Sequence, residues 1–238
     1  MKNNITIKRS DFRHPTREEI RAIKHLIPKF NLFNFQEINE LSEILNNKKP
    51  FEDVHYLNNL YWWNFLLSNR RGVLVHAYEE VLVHYKRGVP DEFKKYNNQD
   101  FVNRIQFIFF CETYLYLYSS FKDSLGQLLN VYFKLGVDED KLHFNFSLVK
   151  KIPDSKIKKL LGDFLTATNE MNQIRNSLAH RYPMTSPDYR TSLKFEGNSP
   201  TLGMGAKTAI PPSGVFDKIV KSYHLLSSLL DVLTLVII

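Results

Sequence analysis

The sequence predicts an all-α protein, a helical bundle with additional N-terminal helices. Apolar residues recur at helical spacing through most of the chain, and no convincing apolar/polar alternation of a half-buried strand appears. The periodic stretches are bounded by capping residues and prolines. A 43% hydrophobic fraction in 238 residues is enough for a sizeable core and excludes a predominantly disordered chain. A lone Cys111 excludes an intrachain disulfide framework and any cysteine-rich zinc site, and it fits a reducing cytosol. The formal charge of +7, from 32 Lys+Arg against 25 Asp+Glu, permits a polyanionic partner without requiring one.

The first helix starts at Thr16-Arg17-Glu18-Glu19, where the Thr16 hydroxyl and Glu19 carboxylate can each satisfy the other's free amide, and it runs to about Leu26, before Pro28. A second amphipathic stretch covers Phe35 to Asn46, with Phe35, Ile38, Leu41 and Ile44/Leu45 on one face. Residues 53–87 form one long helix or two, Gly72 marking the place for a break, and Trp62, Trp63 and Phe65 read as packing residues rather than a base-stacking platform. The longest apolar element, Asp100 to about Leu135, is hydrophobic almost all round and belongs in the middle of the bundle. Gly136 and Asp138-Glu139-Asp140 end it. A helix then begins at Asp154 or Ser155 and continues through Leu160, Phe164 and Met171 to about Arg181, since Tyr182 precedes Pro183. Residues 183–214 hold five prolines and four glycines without periodicity, a long connection of the kind that is functional or disordered. A helix from about Val215 to Ile238 closes the chain.

That last helix is apolar enough to resemble a membrane anchor. Asp231 would sit deep in the bilayer, at a cost of about 2.5–3.5 kcal/mol, so a core helix is the expectation. Met1-Lys2-Asn3-Asn4-Ile5 lacks the apolar run of a signal peptide, and a cytoplasmic protein with no membrane partner is expected. The eight histidines show no tight metal-ligand spacing, so neither a metal nor another cofactor is expected. Gly203-Met204-Gly205-Ala206-Lys207-Thr208 lacks the adjacent Gly-Lys and the strand-to-helix setting of a phosphate-binding loop.

One pattern stands out: Arg175-Asn176-Ser177-Leu178-Ala179-His180, near the end of a helix. Arg9 to His14 and Arg71 to His76 repeat the spacing, so spacing alone decides nothing. Only Arg175 has a polar neighbour, a long amphipathic helix before it and a closing helix after it. In this context the sequence resembles the HEPN superfamily, helical bundles marked by Arg, four to six residues, then His, often with a polar residue straight after the arginine. The resemblance covers about residues 96–238, with residues 1–95 as an N-terminal helical region packing on that core. It implies a metal-independent endoribonuclease in a toxin or phage-defence setting, with Arg175, His180 and Asn176 catalytic. It also implies RNA as substrate, a homodimer, and a cognate antitoxin or regulator. The alternative is a non-catalytic HEPN module that binds nucleotide, RNA or a partner protein, and a plain helical scaffold is the third reading.

The chemistry suits these residues. An RNA 2′-OH attacking its neighbouring phosphate needs a proton shuttle near neutral pH, which histidine supplies, and a fixed cation for the developing charge, which arginine supplies. Five helical steps turn through about 140°, so Arg175 and His180 do not share a face of a continuous helix. Either the helix relaxes near Ala179, or the site is built from two protomers. The bland reading is an ordinary helix C-terminus, with Arg175, His180 and Arg181 complementing the dipole. Glu112, Tyr116, Ser119 and Asp123 form a polar stripe on the long apolar helix. Family resemblance makes Glu112 and Asp123 candidate auxiliary groups, a structural salt bridge or exposed stripe being the alternative. Arg181, Tyr182 and Arg190 are candidate RNA contacts, with Tyr189 beside them. The lysines at 150, 151, 156, 158 and 159 read as a solvated face.

Overall fold

A computed structural model describes residues 6–37, 42, 46, 49–92, 96–180, 183–186, 188, 190–196, 199–204 and 209–237. The fold among them is helical: α1 (Arg17–Ile23), α2 (Phe51–Lys86), α3 (Asn98–Tyr132), α4 (Phe146–Lys151), α5 (Ser155–Ala167), α6 (Asn169–His180) and α7 (Pro212–Val236). Short 3-10 turns lie at Arg9–Asp11, Lys24–Leu26 and Glu139–Lys141. The reciprocal cap of α1 forms as expected, with the Glu19 amide donating to Thr16 Oγ1 (3.2 Å) and the Thr16 amide to Glu19 Oε2 (2.8 Å). Asn97 and Asp100 make the same device at the start of α3. The stretch expected from Phe35 to Asn46 lies mostly outside the described residues.

α2 and α3, each about 50 Å long, form an antiparallel pair. Tyr85 meets Phe107, Tyr78 meets Tyr114, and Arg70 donates to the Ser120 carbonyl (2.7 Å) further along. Gly72 does not break α2, because it lies on an exposed face where helical backbone needs no special conformation. α7 lies against the same pair. Tyr223 stacks on Tyr78 at 3.8 Å and Phe216 on Tyr85 at 3.8 Å, and Ser222 hydrogen-bonds Tyr114 (3.0 Å). Among the described residues α7 is the one helix long and apolar enough to cross a membrane. Its Ile219, Tyr223, Leu226, Leu230 and Leu233 are spent in the bundle core, and Asp231 accepts from Asn31 Nδ2 (2.8 Å).

Four features depart from the sequence expectations. The helix expected from residue 154 to 181 is two helices. They meet at Thr168 (φ −103°, ψ 8°), where both the amide (3.0 Å) and the hydroxyl (2.9 Å) donate to the Phe164 carbonyl. The short helix α4 was not expected; Asn145 caps it, and it and the segment before it approach α3 so closely that a Cβ on Gly126 would lie 3.1 Å from Leu148 Cδ2 and 2.9 Å from Leu142 Cδ2. The aperiodic connection holds an antiparallel hairpin, β1 (Thr191–Glu196) and β2 (Ser199–Met204), with Leu193 opposite Leu202. Its signal was the alternation Leu193-Lys194-Phe195-Glu196 followed by Gly197-Asn198, a short run overshadowed by the surrounding prolines. The weak phosphate-loop resemblance thus begins on a strand. Finally, Trp63 packs partly against the core, but Trp62 (52% exposed) and Phe65 (47%) do not, since they face away from α3.

The residues before α2 are tied to the bundle by polar contacts. Arg87 grips Glu19 with two hydrogen bonds of 2.8 Å and also donates to the Arg13 and His14 carbonyls. Asn64 donates to the Phe33 carbonyl (2.8 Å) and Ser227 to that of Lys29 (2.9 Å).

Candidate functional site

The arginine–histidine pattern lies on α6, and α6 crosses α3. Ile174, Met171 and Ser177 form its buried face, which leaves Arg175 half-buried and Asn176 exposed. The contacts fix an antiparallel register. Lys122 Nζ donates to Asn172 Oδ1 (2.8 Å), Arg175 lies over the Tyr116 ring (6.0 Å), and Glu112 and Leu178 line one narrow apolar cleft. Glu112 therefore stands level with the stretch between Arg175 and His180.

The helix continues unbroken through Ala179 to His180. It does not relax, so the two motif residues stay about 140° apart around the axis. The side-chain placement of His180, and Arg181, Tyr182 and Tyr189 altogether, lie outside what is described. Arg175 Nη1 donates to Asn176 Oδ1 (3.0 Å), while its Nε is buried without a partner. Among the described residues no carboxylate pairs with this guanidinium. Asn176 thus orients the arginine within its own helix.

Of the polar stripe on α3, Tyr116 meets Arg175 and Glu112 lines the cleft, where burial holds its carboxyl above the usual carboxylate range. Ser119 is half-buried on the same helix. Asp123 serves another segment: its Oδ1 accepts the Phe144 amide (2.9 Å) and its Oδ2 lies 4.0 Å from His143. Arg190 is held by Asp188 through hydrogen bonds of 2.9 and 2.8 Å. The side chains of Lys150, Lys151, Lys156 and Lys159 are exposed and Lys158 is half-buried; Lys159 lies 3.7 Å from Asp163.

The structure adds two residues that sequence reasoning passed over. Lys122 is 4% exposed and sits over the Tyr118 ring at 5.0 Å. Burial above all brings its pKa down to about 8; Asp123 pulls it up, and the neighbouring Arg175 charge adds a smaller push down. Arg104 is also buried; it donates to the Thr185 carbonyl (3.4 Å) and to the Tyr96 hydroxyl (3.1 Å). With the Met184 amide donating to Ser177 Oγ (3.2 Å) and the Ile210 amide to the Met184 carbonyl (2.8 Å), Arg104 anchors the turn just after the motif. Among the described residues no group of three or more His, Cys, Asp or Glu is placed to hold a metal.

The model of the Cthe2314-like HEPN family matches residues 63–206. The chain belongs to this family. The matched span opens within α2, ahead of the boundary at residue 96, and it contains all of α3, α5 and α6 and the hairpin. The HEPN match and the helical bundle agree on fold, and the Arg175 to His180 pattern lies inside the matched residues. No curated protein and no solved structure gives a significant match. The HEPN helices α3 and α6 thus supply the seam on which Arg175, Tyr116, Lys122 and Glu112 meet, while α7 completes the core beyond the matched span.

Proposed function

We propose that this HEPN protein is a metal-independent endoribonuclease acting as a homodimer. Arg175 receives the scissile phosphate, Asn176 orients Arg175, and His180 of the partner protomer moves the proton. The observation that carries this reading is Arg175 itself: it is oriented by Asn176 and backed by the Tyr116 ring, yet among the described residues no carboxylate neutralises it. A cation oriented but not neutralised is suited to the charge that develops on a phosphate. The unbroken helix supports the two-chain arrangement, because one chain turns its two motif residues to different faces. In this reading Glu112, the α3 carboxylate that lines the cleft, assists; burial raises its pKa above the ordinary value. A toxin or phage-defence setting, a cytoplasmic location and a cognate antitoxin or regulator belong to the same reading.

The test is incubation of purified protein with mixed RNA in EDTA, alongside His180→Ala and Arg175→Ala. Wild type is expected to cleave, leaving cyclic phosphate ends, with each variant slower by about a hundredfold or more. Absence of cleavage by wild type, or equal cleavage by all three, overturns the claim. A non-catalytic HEPN module is the second reading. The hairpin favours it by presenting Leu193, Phe195 and Leu202 to solvent at 59–66% exposure, a surface that suits a protein partner.

A further inference from the structure

A cation buried in a protein is normally paired with an anion, because charge removed from water is costly to leave alone. Among the described residues, the seam between α3 and α6 holds two cations and no carboxylate ion-paired with either. Lys122, almost wholly buried, donates to the neutral amide oxygen of Asn172 at 2.8 Å. Arg175, one turn along α6, donates to the neutral amide oxygen of Asn176 and keeps its buried Nε open. The two charges oppose each other: Arg175 is among the groups that push Lys122 toward its neutral form. The nearest offset is Asp123, the residue after Lys122, whose pull on Lys122 exceeds the push from Arg175; its carboxylate nevertheless accepts the Phe144 amide and faces His143, and it forms no ion pair with either cation.

We propose that Lys122 and Arg175 form a phosphate site, in which Arg175 contacts the phosphate and Lys122 is a positioning residue that acts through Asn172 and through its charge. A phosphate on Arg175 supplies the missing anion, so its binding relieves the repulsion between the two cations and draws a proton onto Lys122. Asn172 lies three residues before Arg175, on the same side of α6, so the Lys122–Asn172 hydrogen bond fixes the face from which Arg175 projects. The phosphate belongs to an RNA backbone or to a free nucleotide. The RNA source rests on the nuclease reading, whereas the two-cation site does not.

The experiment measures binding of a labelled 2′-O-methyl oligoadenylate, which cannot be cleaved through a 2′-OH, by fluorescence anisotropy at pH 7 and pH 9.5. ATP serves as competitor, and cleavage of unmodified RNA is followed in parallel. Wild type is expected to bind tenfold or more weakly at pH 9.5, where Lys122 has lost its proton. Lys122→Met is expected to bind at pH 7 as weakly as wild type does at pH 9.5, and to lose most of the pH dependence. Asn172→Asp places a carboxylate beside Lys122 and fills the anion's role from within. It is expected to bind weakly while melting at a higher temperature than wild type, a combination that unfolding cannot produce. ATP displacing the oligomer from wild type with the same dependence on Lys122 assigns the site to phosphate in either source. Kd values of Lys122→Met and Asn172→Asp within twofold of wild type at both pH values overturn the proposal. Lys122-dependent binding without RNA cleavage leaves the phosphate site standing and removes the nuclease reading, while cleavage with Lys122-independent binding does the reverse.

Discussion

Lys122 carries its charge at a cost whenever the site is empty. Its pKa is about 8 in the folded chain against an ordinary lysine value of 10.5, so between these two pH values the unfolded chain binds more protons. This group's contribution to stability therefore rises as pH climbs from about 8 to 10.5, and at pH 7 the buried charge destabilises the fold. Lys122→Met, which keeps the side-chain volume, is expected to gain on the order of 2 kcal/mol at pH 7 and little at pH 10; urea denaturation at the two pH values measures this. Arg175, Asn176 and Glu112 could be singled out as candidates from the sequence, by residue type and context together with the HEPN resemblance. Lys122 could not. It lies about 80° around the helical wheel from Glu112, beyond the stripe that includes Asp123. Only the crossing of α6 over α3 shows that Lys122 is covered there and that Asp123 is turned to the Phe144 amide.

At the level of elements, α1 is held to the bundle by a polar clasp beside the apolar contact of Ile20 and Ile23. Arg87 binds Glu19 with two hydrogen bonds and two upstream carbonyls besides. The Arg87 guanidinium holds the Glu19 carboxyl down to about 2, from 4.5. That stabilisation is complete above pH 4.5 and is lost as pH falls toward 2. Because Glu19 is partly exposed, Glu19→Gln is expected to cost only about 1–2 kcal/mol. Limited proteolysis near neutral pH is expected to cut the variant ahead of α2 sooner than wild type, and the difference should narrow at pH 2–3 with an acid protease. The caps of α1 and α5 were readable from Thr16 and Asp154, since capping is local chemistry, whereas the Asn97 cap of α3 was passed over and that helix was expected to start at Asp100. The break at Thr168 was not readable either, because a threonine hydroxyl bonding back to the preceding turn is tolerated in many helices. The hairpin was hidden for the opposite reason: its two strands are short, and they pair with each other instead of joining a larger sheet.

For the molecule as a whole, the bundle was legible because α2, α3 and α7 each repeat apolar residues at helical spacing over many turns, and burial of such faces leaves few other architectures. The partner of the motif was less so, since a sequence does not state how many copies meet. The two-chain site makes a strong prediction. Arg175→Ala and His180→Ala, each inactive alone, are expected to regain roughly a quarter of wild-type RNA cleavage when refolded together, because half of the dimers are mixed and each carries one intact site of two. A site built within one chain gives no recovery.

The unbroken course of α6 to His180 has a consequence for how such a protein would behave in a cell. If one chain cannot aim both residues at one phosphate, scarce molecules are harmless, and well below the dimer's dissociation constant activity grows as the square of concentration. The helix then sets a threshold: a few stray copies do nothing, a surge in synthesis is abruptly damaging, and a regulator that sequesters single chains gains from that steepness.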